Sequence, residues 1–217
     1  MLLGFSMYQY FYLIPIFYEH IKGLSSIDTG LGVLGFGIWI GVFSLIAGAL
    51  SDKFSPVPVL ITGAVIYLIS AFLMFPSLNY YMPFYEAVIR TMPFGIAMGL
   101  FFAPITVLVM NNSNGKIEQG ITMMDYVRFI GGGFGAGIAT NNLMFYQHKE
   151  YEGVNILQNY HITFDFLEKL KNFYGVAGSE IFRRLEEFMS LNYGFKYIWL
   201  DAAFWGFLGS IFVFMLL

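Results

Sequence analysis

The chain has 217 residues, of which 58% are hydrophobic and 12% are charged, and its mean hydropathy is +0.67. Soluble domains carry about 25% charged residues, so this composition indicates an integral membrane protein. The net charge of −3 lacks the basic excess of a nucleic-acid binder, and the absence of cysteine excludes disulfides, thiol catalysis and cysteine-based metal sites.

Six apolar stretches approach the roughly 20 residues that cross a bilayer. Polar or Pro/Gly-rich segments separate them, and they cover residues 2–18, 29–50, 57–75, 83–109, 118–145 and 197–217. We therefore predict five helices in residues 1–145, a polar segment over 146–196 and a final helix over 197–217. Met1 leads into the first stretch without a positively charged region or a cleavage site, so we expect no signal peptide.

The first stretch is rich in aromatic residues, including Tyr8, Phe11 and Tyr12. Aromatic side chains concentrate at membrane interfaces, where they anchor and pack helices. They also line substrate cavities, so these three residues are candidates for either role.

A tight polar loop follows the second stretch and contains Gly48, Asp52 and Lys53. The sequence Gly-x-Leu-Ser-Asp-Lys before a proline-containing turn resembles a loop signature of the major facilitator superfamily. The resemblance implies that Gly48 allows close packing and that Asp52 latches one conformation. The basic residue expected downstream is absent, because Val57 and Val59 occupy that region. A simple turn capped by Asp52 is the alternative.

Glu86 and Arg90 stand four residues apart near the start of the fourth stretch, where they can pair on one helix face. An unpaired charge at the bilayer centre costs about 2.5–3.5 kcal/mol, which favours pairing or a position near the interface. The glycines and proline that follow, Gly95, Gly99 and Pro104, resemble a pattern of the fourteen-helix drug:proton antiporters in that superfamily.

In the fifth stretch, Asp125 and Arg128 precede five glycines between residues 131 and 137. Asp125 and Arg128 lie one turn apart, and we predict a buried ion pair that either couples to transport or statically joins helices. The order Asp-x-x-Arg-x-x-Gly-Gly-x-x-Gly resembles an antiporter pattern in which a small or amide residue usually replaces the aspartate. Small residues four apart let membrane helices approach each other closely. This spacing predicts a helix-packing face formed by Gly131, Gly133, Gly135 and Gly137.

The segment 146–196 holds 13 of the 25 charged residues. Apolar residues at helical spacing predict two short amphipathic helices, one with Phe164, Leu167 and Leu170, the other with Ile181, Leu185 and Phe188. His148 and His161 are too far apart in sequence to suggest a metal site. In the last stretch, Asp201-x-x-Phe204 resembles the start of the final antiporter helix, although Asp201 can equally cap or anchor that helix.

The resemblance also implies an orientation. It places the Asp52 loop, the loop 111–119 and the C-terminus in the cytoplasm, and 146–196 outside. Basic residues favour the opposite orientation, since the long segment and its flank hold six of them while Lys53 and Lys116 stand alone in the two inside loops. We follow the family, because the positive-inside bias is weak for long loops.

As a whole, the sequence resembles the second, six-helix half of a fourteen-helix multidrug efflux transporter. This implies an all-α membrane fold, proton-coupled export of small amphipathic molecules and a bacterial inner-membrane location, with no cofactor or metal. Its partners would be lipid, protons, substrate and an N-terminal half that is a separate polypeptide, a second copy or a segment outside this sequence. A truncated or structural membrane protein that does not transport is the alternative. An enzyme is not expected, because no spanning stretch carries a nucleophile–base set or a metal-binding motif.

Overall fold

The computed structural model describes residues 2–113, 115–157, 168–169, 172 and 174–215. Every regular element in these ranges is helical, which confirms the all-α fold. The elements are α1 (Leu2–Ile16) with a π-helical turn (Phe17–Ile21), α2 (Ser26–Lys53), α3 (Pro56–Ile69) with a π-helical turn (Ser70–Met74) and a 3₁₀ turn (Phe75–Ser77), α4 (Phe84–Asn112), α5 (Ile117–Leu157) and α6 (Val176–Phe214).

Local sequence signals set several helix ends. The side chain of Ser25 accepts a hydrogen bond from the backbone N–H of Asp28, 3.2 Å away, and so caps α2. Ser55 caps α3 in the same way through Val57, and Pro56 occupies the first turn, where no backbone donor is needed. The predicted alternative of a turn capped by Asp52 is therefore wrong.

Four helices of the described chain are long and apolar enough to cross a membrane: Ser26–Lys53, Pro56–Ser77, Phe84–Asn112 and Glu180–Phe214. They support a multi-pass membrane protein. Helices α1 and α5 are not among the four. Asp125, Arg128 and the glycines lower the hydropathy of α5. The count of six spans stays a prediction.

Two compact units make up the chain: the first comprises Met1–Ala139 and Trp199–Leu217, the second Thr140–Ile198. In the first unit, glycines bring α2 and α4 into backbone contact. A Cβ placed on Gly95 would overlap the backbone of Phe36, and one on Gly99 would lie 2.8 Å from the carbonyl oxygen of Ile40. Glycine is required at both positions because the partner atoms are backbone.

An aromatic stack lies at the centre of the first unit. The ring of Tyr10 stacks on Phe75 and Trp199 at centroid distances of 4.3 and 5.5 Å, and all three side chains are buried. The Tyr10 hydroxyl donates to the carbonyl oxygen of Trp199 over 2.9 Å. Beside the stack, the Ser6 hydroxyl donates to the Ala202 carbonyl over 2.5 Å and bonds the hydroxyl of Tyr67. These bonds satisfy hydroxyl groups that have no access to water.

In the second unit, the described residues at both ends of the predicted polar segment are helical. Residues up to Leu157 continue α5, and α6 runs without interruption from Val176 through the predicted boundary at 196/197. Tyr146 and Tyr197 stack at 5.7 Å within this unit. Charged residues such as Glu, Lys and Arg favour helix, so a polar composition does not end one.

The second predicted amphipathic helix lies within α6, where Ile181 and Leu185 are exposed and Phe182, Glu186 and Ser190 are buried. Its apolar stripe stays a prediction. One expectation for this region was wrong. Asp201 cannot cap its helix, because α6 begins 25 residues earlier at Val176. The first predicted amphipathic helix (Phe164, Leu167 and Leu170) and His161 lie outside the described residues.

Candidate functional site

A cavity of about 720 Å³ opens among α1, α4, α5 and α6 within the first unit. Its wall is almost wholly apolar, formed by Leu3, Gly4, Met7, Tyr8, Met98, Phe101, Phe102, Ile105, Val109, Gly120, Met123, Met124, Val127, Arg128, Gly209, Phe212 and Val213. Pockets of roughly 300–1,000 Å³ with apolar walls and few polar groups are typical sites for small molecules. This cavity is therefore the candidate binding site.

Helical spacing explains how α4 and α5 line the cavity. On α4, Met98, Phe102, Ile105 and Val109 recur at intervals of three or four residues and so share one face. Gly120 lets α5 start close to α4, since a Cβ there would lie 3.1 Å from a methyl carbon of Val109.

Arg128 brings a charge to this wall. Its guanidinium carbon lies 4.9 Å from the centre of the Phe102 ring, and one terminal nitrogen donates to the sulfur of Met124 over 3.7 Å. The other terminal nitrogen is 3.4 Å from a carboxylate oxygen of Asp125, one turn earlier. The two charges thus meet, as expected, but the pair is not buried within this chain, because the Asp125 side chain is 43% exposed. Asp125 is not among the residues that line the cavity.

The three aromatic candidates of α1 have different surroundings, and one of them lines the cavity. Tyr8 lines the cavity and packs against Gly132 of α5, where a Cβ would lie 2.9 Å from its ring. Phe11 packs on Phe36, with ring centroids 5.4 Å apart, and Tyr12 is exposed. A cavity role for Phe11 and Tyr12 is therefore not supported, because successive helix positions face different directions.

The glycines of α5 fall into two groups, one buried and one exposed. Gly131, Gly132 and Gly135 are buried, and a Cβ on Gly135 would overlap the backbone of Phe5. A Cβ on Gly133 or Gly137 would meet no described atom within 4 Å. The prediction that all four glycines share one face is wrong: glycines 131 and 135 lie on one side of α5, whereas 133 and 137 lie on the opposite side, which the described residues leave open.

Glu86 and Arg90 form an ion pair of 2.6 Å in the first turns of α4, and Arg90 also donates to the hydroxyl of Ser77. Both side chains are partly exposed, at 39% and 31%. Neither lines the cavity, so the pair joins α4 to the preceding turn.

The Asp52 loop lies at the end of α2. A Cβ added to Gly48 would lie 3.9 Å from the methyl group of Ala103 of α4, an ordinary van der Waals distance, so the helix spacing at this position would also accept alanine. Asp52 and Lys53 are exposed, and the Lys53 ammonium lies 5.3 Å from the centre of the Phe54 ring. The loop is available for contacts beyond this unit.

Sequence reasoning missed the methionines of the wall, Met7, Met98, Met123 and Met124. Their signal was the high methionine content of the chain, 12 of 217 residues, but nothing in the spacing shows which methionines meet. Within the described ranges, no group of three or more His, Asp or Glu side chains could hold a metal ion.

Comparison with known proteins supplies the family. A family model described as the Major Facilitator Superfamily matches residues 1–136. The uncharacterized MFS-type transporter YhcA of Bacillus subtilis (strain 168) is 25% identical over 136 residues, which cover 62% of this chain and 25% of that protein. The matched segment therefore spans about a quarter of the length of this relative.

Proposed function

Because the chain belongs to the major facilitator superfamily, we propose that it forms the C-terminal half of a secondary active transporter. Such proteins bind substrate near the bilayer midplane between two pseudo-symmetric halves and expose it alternately to either side. The proposed transporter exports small amphipathic molecules in exchange for protons across a bacterial inner membrane.

The cavity is the observation that carries this proposal. It combines a drug-sized volume of about 720 Å³ with an apolar wall and a cation at its edge, contributed by Arg128. Methionine and phenylalanine side chains adapt to ligands of different shape, as broad specificity requires.

A partner half is part of the proposal. The order of motifs resembles the second half of the fourteen-helix antiporters, and the matched relative is about four times as long as the matched segment. The N-terminal half would be a separate polypeptide, a second copy of this chain or a segment outside this sequence. The open α5 face at Gly133 and Gly137 supports this requirement, because small residues on an unpacked helix face permit close contact with another helix.

The charged residues receive distinct roles. We propose that the Asp125–Arg128 pair biases two conformations, because the two charges lie 3.4 Å apart and Arg128 also lines the cavity. Asp52, at the end of α2, would latch the cytoplasmic face. A static ion pair that only joins helices is the competing explanation for Asp125 and Arg128.

Export assays test the proposal. The chain and its N-terminal half are expressed together in inverted membrane vesicles, and proton-driven uptake of a fluorescent amphipathic dye is measured. Arg128→Ala should abolish uptake while the protein still inserts, whereas Arg184→Ala, a matched change at an exposed arginine outside the first unit, should leave uptake unchanged.

Unchanged uptake in Arg128→Ala would show that the pair is only structural. An unaltered chain that inserts with its N-terminal half and takes up no dye under a proton gradient would favour the alternative, a non-transporting membrane protein.

A further inference from the structure

We propose that the cavity among α1, α4, α5 and α6 binds small amphipathic acids, molecules with an apolar body and one carboxylate. This assignment rests on the proposed transport function and narrows its substrate class. Three properties of the wall lead to it: the sign of its charge, the free hydrogen-bond donors of Arg128 and the shape of the apolar remainder.

The charge of the wall favours anions. Among the described residues that line the cavity, Arg128 is the one with a charged side chain, and Asp125 is not part of the lining. In a membrane protein interior, where the effective dielectric constant is well below that of water, one such charge repels a cation and attracts an anion strongly. A cationic ligand would face Arg128 without a compensating carboxylate in the wall.

Arg128 has more N–H donors than its described contacts use. A guanidinium carries five N–H groups, and its bond to Asp125 spans 3.4 Å, longer than the 2.7–2.9 Å typical of a strong charge-assisted bond. Its other described bond goes to the sulfur of Met124, a weak acceptor. A ligand carboxylate would therefore be a better partner than either group that Arg128 now contacts.

Phe102 orients this cation. The guanidinium carbon lies 4.9 Å from the ring centre, within the range of a cation–π contact. Packing against the ring restrains the plane of the guanidinium, and its edge offers paired N–H groups that match the two oxygens of a carboxylate. The contact thus preorganises Arg128 for an acid and not only for a charge.

The rest of the wall suits the apolar body. Leu3, Phe101, Ile105 and Phe212 provide aliphatic and aromatic surface, and the methionines adapt to its outline. Besides Arg128, Tyr8 is the residue of the described lining whose side chain carries a polar group, its hydroxyl. Binding energy would come mainly from the apolar body, and Arg128 would select the head group.

A matched set of probes tests the assignment. Three dansyl compounds share one six-carbon chain that ends in a carboxylate, a carboxamide or a trimethylammonium group. Their binding to the full chain is measured by fluorescence in nanodiscs of zwitterionic lipid, with empty nanodiscs as the control for partition into lipid. We expect the carboxylate to bind at least tenfold more tightly than the trimethylammonium compound.

Variants assign the preference to Arg128. Arg128→Gln should reduce carboxylate affinity to that of the carboxamide and leave carboxamide binding unchanged, which also reports that the cavity is intact. Arg128→Lys should retain part of the preference for the acid. Arg184→Gln, at an exposed arginine outside the first unit, should behave like the unaltered chain.

Equal or tighter binding of the trimethylammonium compound, or no carboxylate binding above that of empty nanodiscs, would overturn the assignment. Neither result contradicts transport of neutral or cationic substrates. Arg128-dependent acid binding without export of any probe in vesicles would instead overturn the transport proposal and leave the binding assignment standing.

Discussion

Gly99 of α4 faces Ile40 of α2 so closely that a Cβ on Gly99 would lie 2.8 Å from the Ile40 carbonyl oxygen. Backbone cannot move aside as a flexible side chain can. We therefore expect Gly99→Ala to destabilise the protein by about 1–3 kcal/mol, the typical cost of overpacking. Reversible denaturation in mixed detergent micelles measures the change.

Gly37→Ala in α2 is the matched control, because its Cβ would meet no described atom within 4 Å. Alanine is also the better helix former, by up to about 1 kcal/mol. Its stability should be equal to that of the unaltered chain or slightly higher. A loss of stability equal to that of Gly99→Ala would contradict the explanation by backbone contact.

The buried hydroxyl pair Ser6 and Tyr67 should behave as one unit. Ser6 donates its proton to the Ala202 carbonyl, so Tyr67 must donate to Ser6. Ser6→Ala leaves the Tyr67 hydroxyl buried without its acceptor, at a cost of about 1–3 kcal/mol. In a double-mutant cycle, adding Tyr67→Phe to Ser6→Ala should cost little further. Additive losses would show that the two hydroxyls act independently.

The Glu86–Arg90 pair should matter little for transport. Both side chains are partly exposed and lie outside the cavity lining, and exposed ion pairs contribute about 0–1 kcal/mol. We expect Glu86→Gln to reduce stability by less than about 1 kcal/mol and to leave dye uptake in vesicles near that of the unaltered chain. Loss of uptake with normal insertion would show that this ion pair takes part in coupling.

Single cysteines can establish the orientation, since the chain contains none of its own. Tyr81 precedes α4 and Lys116 follows it, and both are exposed. If α4 crosses the membrane as the resemblance implies, Lys116→Cys should react with an impermeant maleimide only from the cytoplasm and Tyr81→Cys only from outside. The reverse pattern would invert the proposed topology and support the orientation that the basic residues favour.

The helices of the first unit were largely predictable from sequence. Long apolar runs between the Ser25 cap, the Ser55–Pro56 turn and Pro83 mark α2, α3 and α4 within a few residues. These signals are local, and the membrane requires every apolar run to satisfy its backbone as a helix. Local chemistry therefore suffices to find such helices.

The ends of α5 and α6 were not predictable in this way. Lys149, Arg183 and Glu187 marked a change of composition, which was interpreted as a change of secondary structure. Polarity reports the surroundings of a helix and not its end, and α6 continues through Asn192 and Gly194, two residue types that often stand at helix ends. Both the composition and these local signals therefore favoured a break that the structure does not have.

The candidate site was predictable only in part. Arg128 and Tyr8 stood out because a charge in an apolar run and an aromatic-rich helix are visible in sequence. The neighbours that give Arg128 its setting, Phe102 and Met124, could not be assigned. Which of 25 phenylalanines and 12 methionines meets Arg128 depends on contacts between helices distant in sequence.

The π-helical turn Ser70–Met74 adds one residue to the helical path that continues from α3. Tyr67 and Phe75 are both fully buried and both contact Tyr10, although eight residues of α-helix would set them about 80° apart at roughly 100° per residue. Seven residues would leave only about 20° between them. The wider turn absorbs the difference, so deletion of the exposed Leu73 should restore an ordinary α-helix with both rings still aligned. We therefore expect the chain to tolerate a change of one residue in length at this point while the aromatic stack stays intact.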